Sequence, residues 1–319
     1  MDTAKLQKSA LEAKSEPTVS STNRGATVRQ WTLLFLIAAI WGSSFILIKR
    51  GLFTVDGQKL FSPIQVGALR IVIAALFMVP LVIKKLSPLK NGKIKFLLLV
   101  GLFGNGIPAF LFAMAQTEIP SALAGMLNAL VPVFSMLIAL VVFGVAIRRF
   151  QILGVGIGLS GATGLVLGAG GIEGGDINLW YAGLIVLATI CYAISLNVIK
   201  QFLQNESSVA ITGIALIMVS PAGLAVLIAS DFFAVLANVE GAPMGLAAIA
   251  LLAVLGTAIA LIVFNKLVQE TNTVFASSVT YLIPLVAIGW GLADGESLNL
   301  WQGLSALVML GGIFLINRG

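Results

Sequence analysis

Trp31-Thr-Leu-Leu-Phe-Leu-Ile-Ala-Ala-Ile-Trp41-Gly-Ser-Ser-Phe-Ile-Leu-Ile48 carries no charged side chain from end to end. An α-helix needs roughly 20 mainly apolar residues to cross a hydrocarbon core of about 30 Å. Similar runs cover residues 71–83, 96–117, 119–147 and 152–172, and five more follow in the second half. The pattern predicts an all-α polytopic membrane protein with ten spans, at about 32–50, 63–83, 94–115, 119–143, 151–170, 179–199, 208–229, 244–265, 272–293 and 300–316.

Composition agrees with the pattern. The 319 residues are 59% hydrophobic and 10% charged, with a mean hydropathy of +1.05. Soluble domains carry about 25% charged residues, so this surface is built to face lipid. A net charge of +6 suggests nucleic acid in a soluble protein, but here the bases collect at span ends, where they orient the chain. The lipid bilayer is the expected partner, and nucleic acid is not.

Residues 1–30 have no apolar core and a Ser/Thr/Pro-rich run, which reads as a disordered cytosolic tail rather than a cleaved leader. With that tail inside, 15 of the 19 Lys and Arg fall on the cytoplasmic side, three (Lys49, Arg50, Lys59) fall outside, and Arg70 lies within the second span. Both termini are therefore expected in the cytoplasm of a cell or inner membrane.

The chain also overlies itself. At an offset of 152 residues Gly104 meets Gly256, Phe112 meets Phe264, Glu118 meets Glu270 and Pro132 meets Pro284. Near 151, Trp41-Gly-Ser-Ser-Phe-Ile-Leu-Ile-Lys49 overlies Tyr192-Ala-Ile-Ser-Leu-Asn-Val-Ile-Lys200. Two five-helix halves, 31–170 and 171–319, follow; because five is odd they insert with opposite orientation, the inverted repeat of many secondary transporters.

Polar groups within spans are expensive in lipid and face the protein interior or a wet path. Candidate substrate-binding residues are Trp41, Ser44, Asn105, Asn128, Tyr192, Asn197 and Tyr281. Each has an alternative role: amides and hydroxyls also join neighbouring helices, and aromatic rings also anchor or pack. Pro132 and Pro284 each free a carbonyl one turn earlier and are candidate hinges or static kinks. Among charged residues, Arg70 either attracts an anionic group or serves the fold, Glu118 and Glu270 lie at span ends, and Lys49 reads as a side chain reaching for the interface. The glycines at 154, 158, 161, 164 and 168 give the fifth span a smooth face for close packing, inside the monomer or in a homodimer.

Other functions lack their residues. The chain has no histidine and one cysteine, Cys191, so neither a disulfide within the chain nor a histidine-based metal site is available. No phosphate-binding loop or metalloprotease motif is present. No cofactor and no enzymatic activity are expected. A membrane-embedded sensor or assembly partner is the competing reading.

Trp41-Gly-Ser-Ser-Phe45 is followed by Lys49, Arg70 lies in the second span, Leu130-Val-Pro132 and Tyr281-Leu-Ile-Pro284-Leu lie in the fourth and ninth, and Gln151 and Gln302 open the fifth and tenth. In these motifs the chain resembles an EamA-type member of the drug/metabolite transporter superfamily. It covers about residues 31–317. An acid usual in the family after the fourth and ninth spans occurs only once, as Glu296; the stretch Phe143-Gly-Val-Ala-Ile-Arg148 has none. The resemblance implies a central cavity lined mainly by helices 1, 3, 4, 6, 8 and 9, and export of a small metabolite such as an amino acid or amphipathic compound by alternating access.

Overall fold

A computed structural model describes residues 27–86, 89, 92–144, 146, 148–169, 178–270 and 279–318. Among them the secondary structure is helical, apart from one isolated bridge between Phe53 and Lys59. Eight helices are long and apolar enough to cross a membrane: α1 Val28–Leu52, α2 Pro63–Val82, α3 Ile94–Ala115, α4 Ser121–Phe143, α5 Arg149–Gly168, α6 Leu179–Leu203, α7 Ser208–Ala229 and α8 Ala242–Phe264. Two shorter apolar helices follow, α9 Val279–Ala293 and α10 Leu300–Ile316. The expected ninth span opens at 272, but 271–278 lie outside the described residues, as does the tail to residue 26.

The helix starts are written locally. Thr27 and Gln30 close a capping box at α1, each side chain bonding the other's backbone N–H, and Ser62 and Gln65 do the same at α2, where Pro63 needs no donor. Gln302 opens α10 in the same way with Asn299, and Gln151 at the start of α5 accepts from the Arg148 N–H and donates to the Ile316 carbonyl at the end of α10. The two glutamines thus set helix ends.

Helices pack in pairs: α5 on α10, α2 on α7, α4 on α9, α3 on α6, α8 on α1, α1 on α9, α6 on α4, α3 on α7 and α8 on α2. The α5–α10 contact answers the question posed by the glycine-rich fifth span. A Cβ on Gly161 would lie 2.4 Å from the Met309 backbone nitrogen, and one on Gly312 would lie 2.3 Å from the Gly158 nitrogen. The smooth face is spent inside the monomer, backbone against backbone.

Three helices depart from α-geometry in mid-course. π-helical turns occupy Leu102–Gly106 in α3, Ile199–Leu203 in α6 and Leu252–Ile259 in α8. Helix α1 is interrupted at Ser43, and α4 at Ala129–Leu130. Pro132 is therefore the second residue of the helical segment Val131–Phe143, at a break rather than in a smooth bend, whereas Pro284 lies inside α9.

Candidate functional site

At one end of the bundle, α9 stops in a turn that prepares two carboxylates. Gly295 has φ +81°, the Glu296 N–H bonds the Gly291 carbonyl, and the Gly295 N–H bonds the Leu292 carbonyl. This glycine-centred C-terminal turn is accessible to few residues other than glycine. It leaves Asp294 and Glu296 side by side, facing Lys49 and Arg50 in the last turn of α1. Lys49 Nζ lies 2.6 Å from Asp294 and 2.9 Å from Glu296, and Arg50 pairs with Asp294. Lys49, expected from the sequence to reach for the interface, is instead committed to two buried acids.

Glu296 does more than pair. Its two carboxylate oxygens accept the Ser121 and Ala122 N–H groups, at 2.8 and 2.9 Å, in the first turn of α4. Those donors have no partner within their own helix, and the positive end of the helix dipole favours an anion there. Burial opposes ionisation of Glu296, but the Ala122 amide, the Lys49 ammonium and the Ser121 amide outweigh it and hold the carboxyl below its ordinary value. One carboxylate thus joins α1, α4 and the α9–α10 turn.

Deeper in the bundle, aromatic and polar candidates gather around the π-turns of α3 and α8. Trp41 donates its indole N–H to the Gly256 carbonyl at 2.9 Å and packs against Phe264 with ring centres 5.1 Å apart. Tyr192 stacks on Phe112 at 6.0 Å, and Phe112 in turn contacts Phe45 at 5.8 Å. Gly256 faces the Ser44 hydroxyl and Gly104 faces the Ser195 hydroxyl, each so closely that a Cβ would come within about 3.1 and 2.5 Å. Arg70 reaches from α2 to Thr257, its Nε donating to Oγ1 at 3.3 Å.

The sequence candidates divide accordingly. Asn105, in the α3 π-turn, and Asn128, at the break in α4, are half-buried with no hydrogen-bond partner for their amides among the described residues. The Tyr192 hydroxyl is likewise unengaged. Asn197 is spent: its side-chain nitrogen donates to Ser135 O, Ser135 Oγ and Ala193 O, which ties α6 to α4. Ser44 donates to the Ile40 carbonyl of its own helix. Tyr281 is half-buried on α9. Glu118 is exposed beside a cleft of about 730 Å³ that also borders Lys59 and Asp231. Glu270 ends the helical segment that continues α8, and its side chain lies outside the described residues.

Another cleft, of about 480 Å³, opens between α1, α8 and α9. Its walls are mostly apolar, with Ile46, Leu251 and Trp290 among them, and the Arg50–Asp294 pair bounds it. Asn105, Asn128 and Tyr192 do not line it. The Asp294–Glu296 corner is the feature that sequence reasoning undervalued. Its signal is the Asp-Gly-Glu triplet directly after an apolar helix, opposite a Lys-Arg pair ending another.

A family model described as "EamA-like transporter family" matches residues 29–167 and again 179–318. The chain belongs to the EamA-like transporter family. This EamA-like chain is 26% identical over 294 residues to the "Uncharacterized inner membrane transporter YedA" of Escherichia coli K12, covering 90% of each chain. An "Uncharacterized transporter" of Archaeoglobus fulgidus is 23% identical over 192 residues, 60% of this chain and 64% of that one. A solved crystal structure shares the fold at a TM-score of 0.58 and 16% identity, covering 91% of this chain and 96% of its own. The EamA-like chain is thus a multi-pass membrane transporter.

Proposed function

We propose that this transporter is a secondary carrier of ten spans in two inverted five-helix halves, exporting a small neutral or zwitterionic metabolite, such as an amino acid or a related amphipathic compound, by alternating access. Charge distribution supports cytoplasmic termini, with the Lys49–Glu296 corner at the outer end.

The observation that carries the reading is a matched pair of contacts. Trp41 on Phe264 corresponds, five helices on, to Tyr192 on Phe112, and Ser44 at Gly256 corresponds to Ser195 at Gly104. Asn105 and Thr257, 152 residues apart, each directly follow the glycine of that contact inside a π-turn. Exchanging each helix for the one five places along also turns the packing pairs into one another. The amides of Asn105 and Asn128 and the Tyr192 hydroxyl, unengaged among the described residues, supply neutral donors and acceptors, and Tyr192 with Phe112 supplies an aromatic face, which suits solutes of little net charge.

The two ends differ in chemistry. Gly144, with φ +62°, stands where Gly295 stands in the second half, but its neighbours are Phe143 and Val145 instead of Asp294 and Glu296. Phe143 contacts Phe202, which stacks on Phe96 with ring centres 4.1 Å apart. The outer end is closed by ions and the inner end by rings, and transport alternates between releasing one and the other.

Purified protein in liposomes tests the reading. Counterflow of a labelled neutral or zwitterionic solute supports it. Movement of multivalent anions alone would overturn the substrate class, and absence of counterflow with any solute would overturn the carrier.

A further inference from the structure

Arg70 lies within α2 and forms no ion pair among the described residues, and every Asp and Glu from residue 56 onward falls outside the spanning helices. It is half-buried, and Nε is committed to Thr257. Its two terminal nitrogens have no hydrogen-bond partner among the described residues, and neither is among the enclosed, unsatisfied atoms. A guanidinium offers five N–H donors in a planar fork. Four remain here, two of them side by side on the terminal edge that matches both oxygens of a carboxylate.

Thr257 fixes which edge is left. It is buried at 4% exposure in the π-turn of α8, where the helical ladder is loosened, and the adjacent Gly256 carbonyl is held by Trp41. The α8 turn is thus gripped from α1 and α2 at successive residues, and the bond from Nε leaves the two terminal nitrogens as the end of Arg70 that can take a ligand. No counterpart exists in the other half. The corresponding residues are Pro221 and Ala222, so the cation breaks an otherwise matched site.

We infer that Arg70, oriented by Thr257, is the subsite for a single carboxylate on the transported molecule, so that monocarboxylic solutes, zwitterionic amino acids included, are the substrate class. This rests on the carrier reading above and shifts its substrate class from neutral or zwitterionic solutes to those bearing one carboxylate. An unpaired guanidinium at membrane depth is costly, and an anion that arrives with the substrate and leaves with it offsets that cost once per transport cycle. One charge suffices because the subsite has one cation.

Isosteric probes on the unmodified protein give the first test. Proteoliposomes containing the full chain are preloaded with leucine, phenylalanine or benzoate, and counterflow is compared with leucinamide, phenylalaninamide and benzamide, which keep the shape and lose the carboxylate. The acids are expected to exchange at least about tenfold better than the amides, the range set by a charge-assisted hydrogen bond. Arg70→Gln should abolish the preference and Arg70→Lys should retain part of it. Thr257→Val, which keeps the shape of the side chain, should weaken the preference without removing exchange.

Equal exchange of acids and amides, or an Arg70→Gln protein that still prefers acids, overturns the carboxylate subsite and leaves the carrier standing. Exchange of amides or amines with no acid carried does the same. Absence of exchange for every probe overturns both.

Discussion

Lys49 on α1 and Glu296 beyond α9 meet at 2.9 Å, although 247 positions separate them in the chain, and the same Glu296 closes the first turn of α4. Three elements of the bundle therefore share one carboxylate. Its removal touches all of them at once, which makes this corner the most sensitive point at that end of the molecule.

Glu296→Gln keeps an acceptor for one α4 amide but gives up the charge that Lys49 and the helix terminus favour. The protein is expected to melt several degrees lower in detergent at neutral pH. Because the folded chain holds this carboxyl below its ordinary value, the corner adds stability above the unfolded pKa of about 4.3 and loses it as pH falls through the lower folded value. Melting curves of both proteins against pH should converge below about pH 4. Parallel curves would assign the tie to shape instead of charge.

Asn128→Ala removes an amide that makes no hydrogen bond among the described residues, so none of the bonds described there is lost. Exchange in liposomes should drop more than folded yield does. Equal losses in both would make the amide structural.

Trp41→Phe keeps a ring against Phe264 and deletes the N–H that the Gly256 carbonyl accepts. A lost hydrogen bond of this kind costs about 1 kcal/mol, and the π-turn of α8 should open more readily. Hydrogen exchange read by mass spectrometry is expected to rise in peptides covering Leu252–Ile259 and not in α5 or α10.

Gly161→Ala puts a methyl group 2.4 Å from the Met309 backbone nitrogen. The neighbour is backbone and cannot swing aside, so α5 and α10 must part, at roughly 1–3 kcal/mol. A clear fall in melting temperature is expected, with Gly156→Ala, which meets open space, as the silent control.

Much of this was legible in the chain before any coordinates. Uninterrupted apolar runs gave the helices, because a backbone in lipid must satisfy its own hydrogen bonds. The offsets near 151 and 152 align Trp41 with Tyr192, Ser44 with Ser195 and Gly104 with Gly256, and each of these residues takes part in an interior contact. What the sequence could not show is which polar groups were already used. Asn128 and Asn197 are the same residue type, each preceded by leucine in an apolar span, yet one is unengaged among the described residues and the other bonds three acceptors across α4 and α6. That difference depends on where Ser135 points, and side-chain direction between helices has no local signature. The α1–α9 ion pairs stayed hidden for a similar reason, since charges at span ends read as interfacial until their partners are seen.

The glycine seam between α5 and α10 limits where the molecule can yield. With Gly158 against Gly312 and Gly161 against Met309, no side chain separates the helices at these two points, and neither helix can slide past the other without backbone striking backbone. The pair is a keel. A covalent staple across it should leave turnover intact, whereas the same staple between α1 and α9 should stop it.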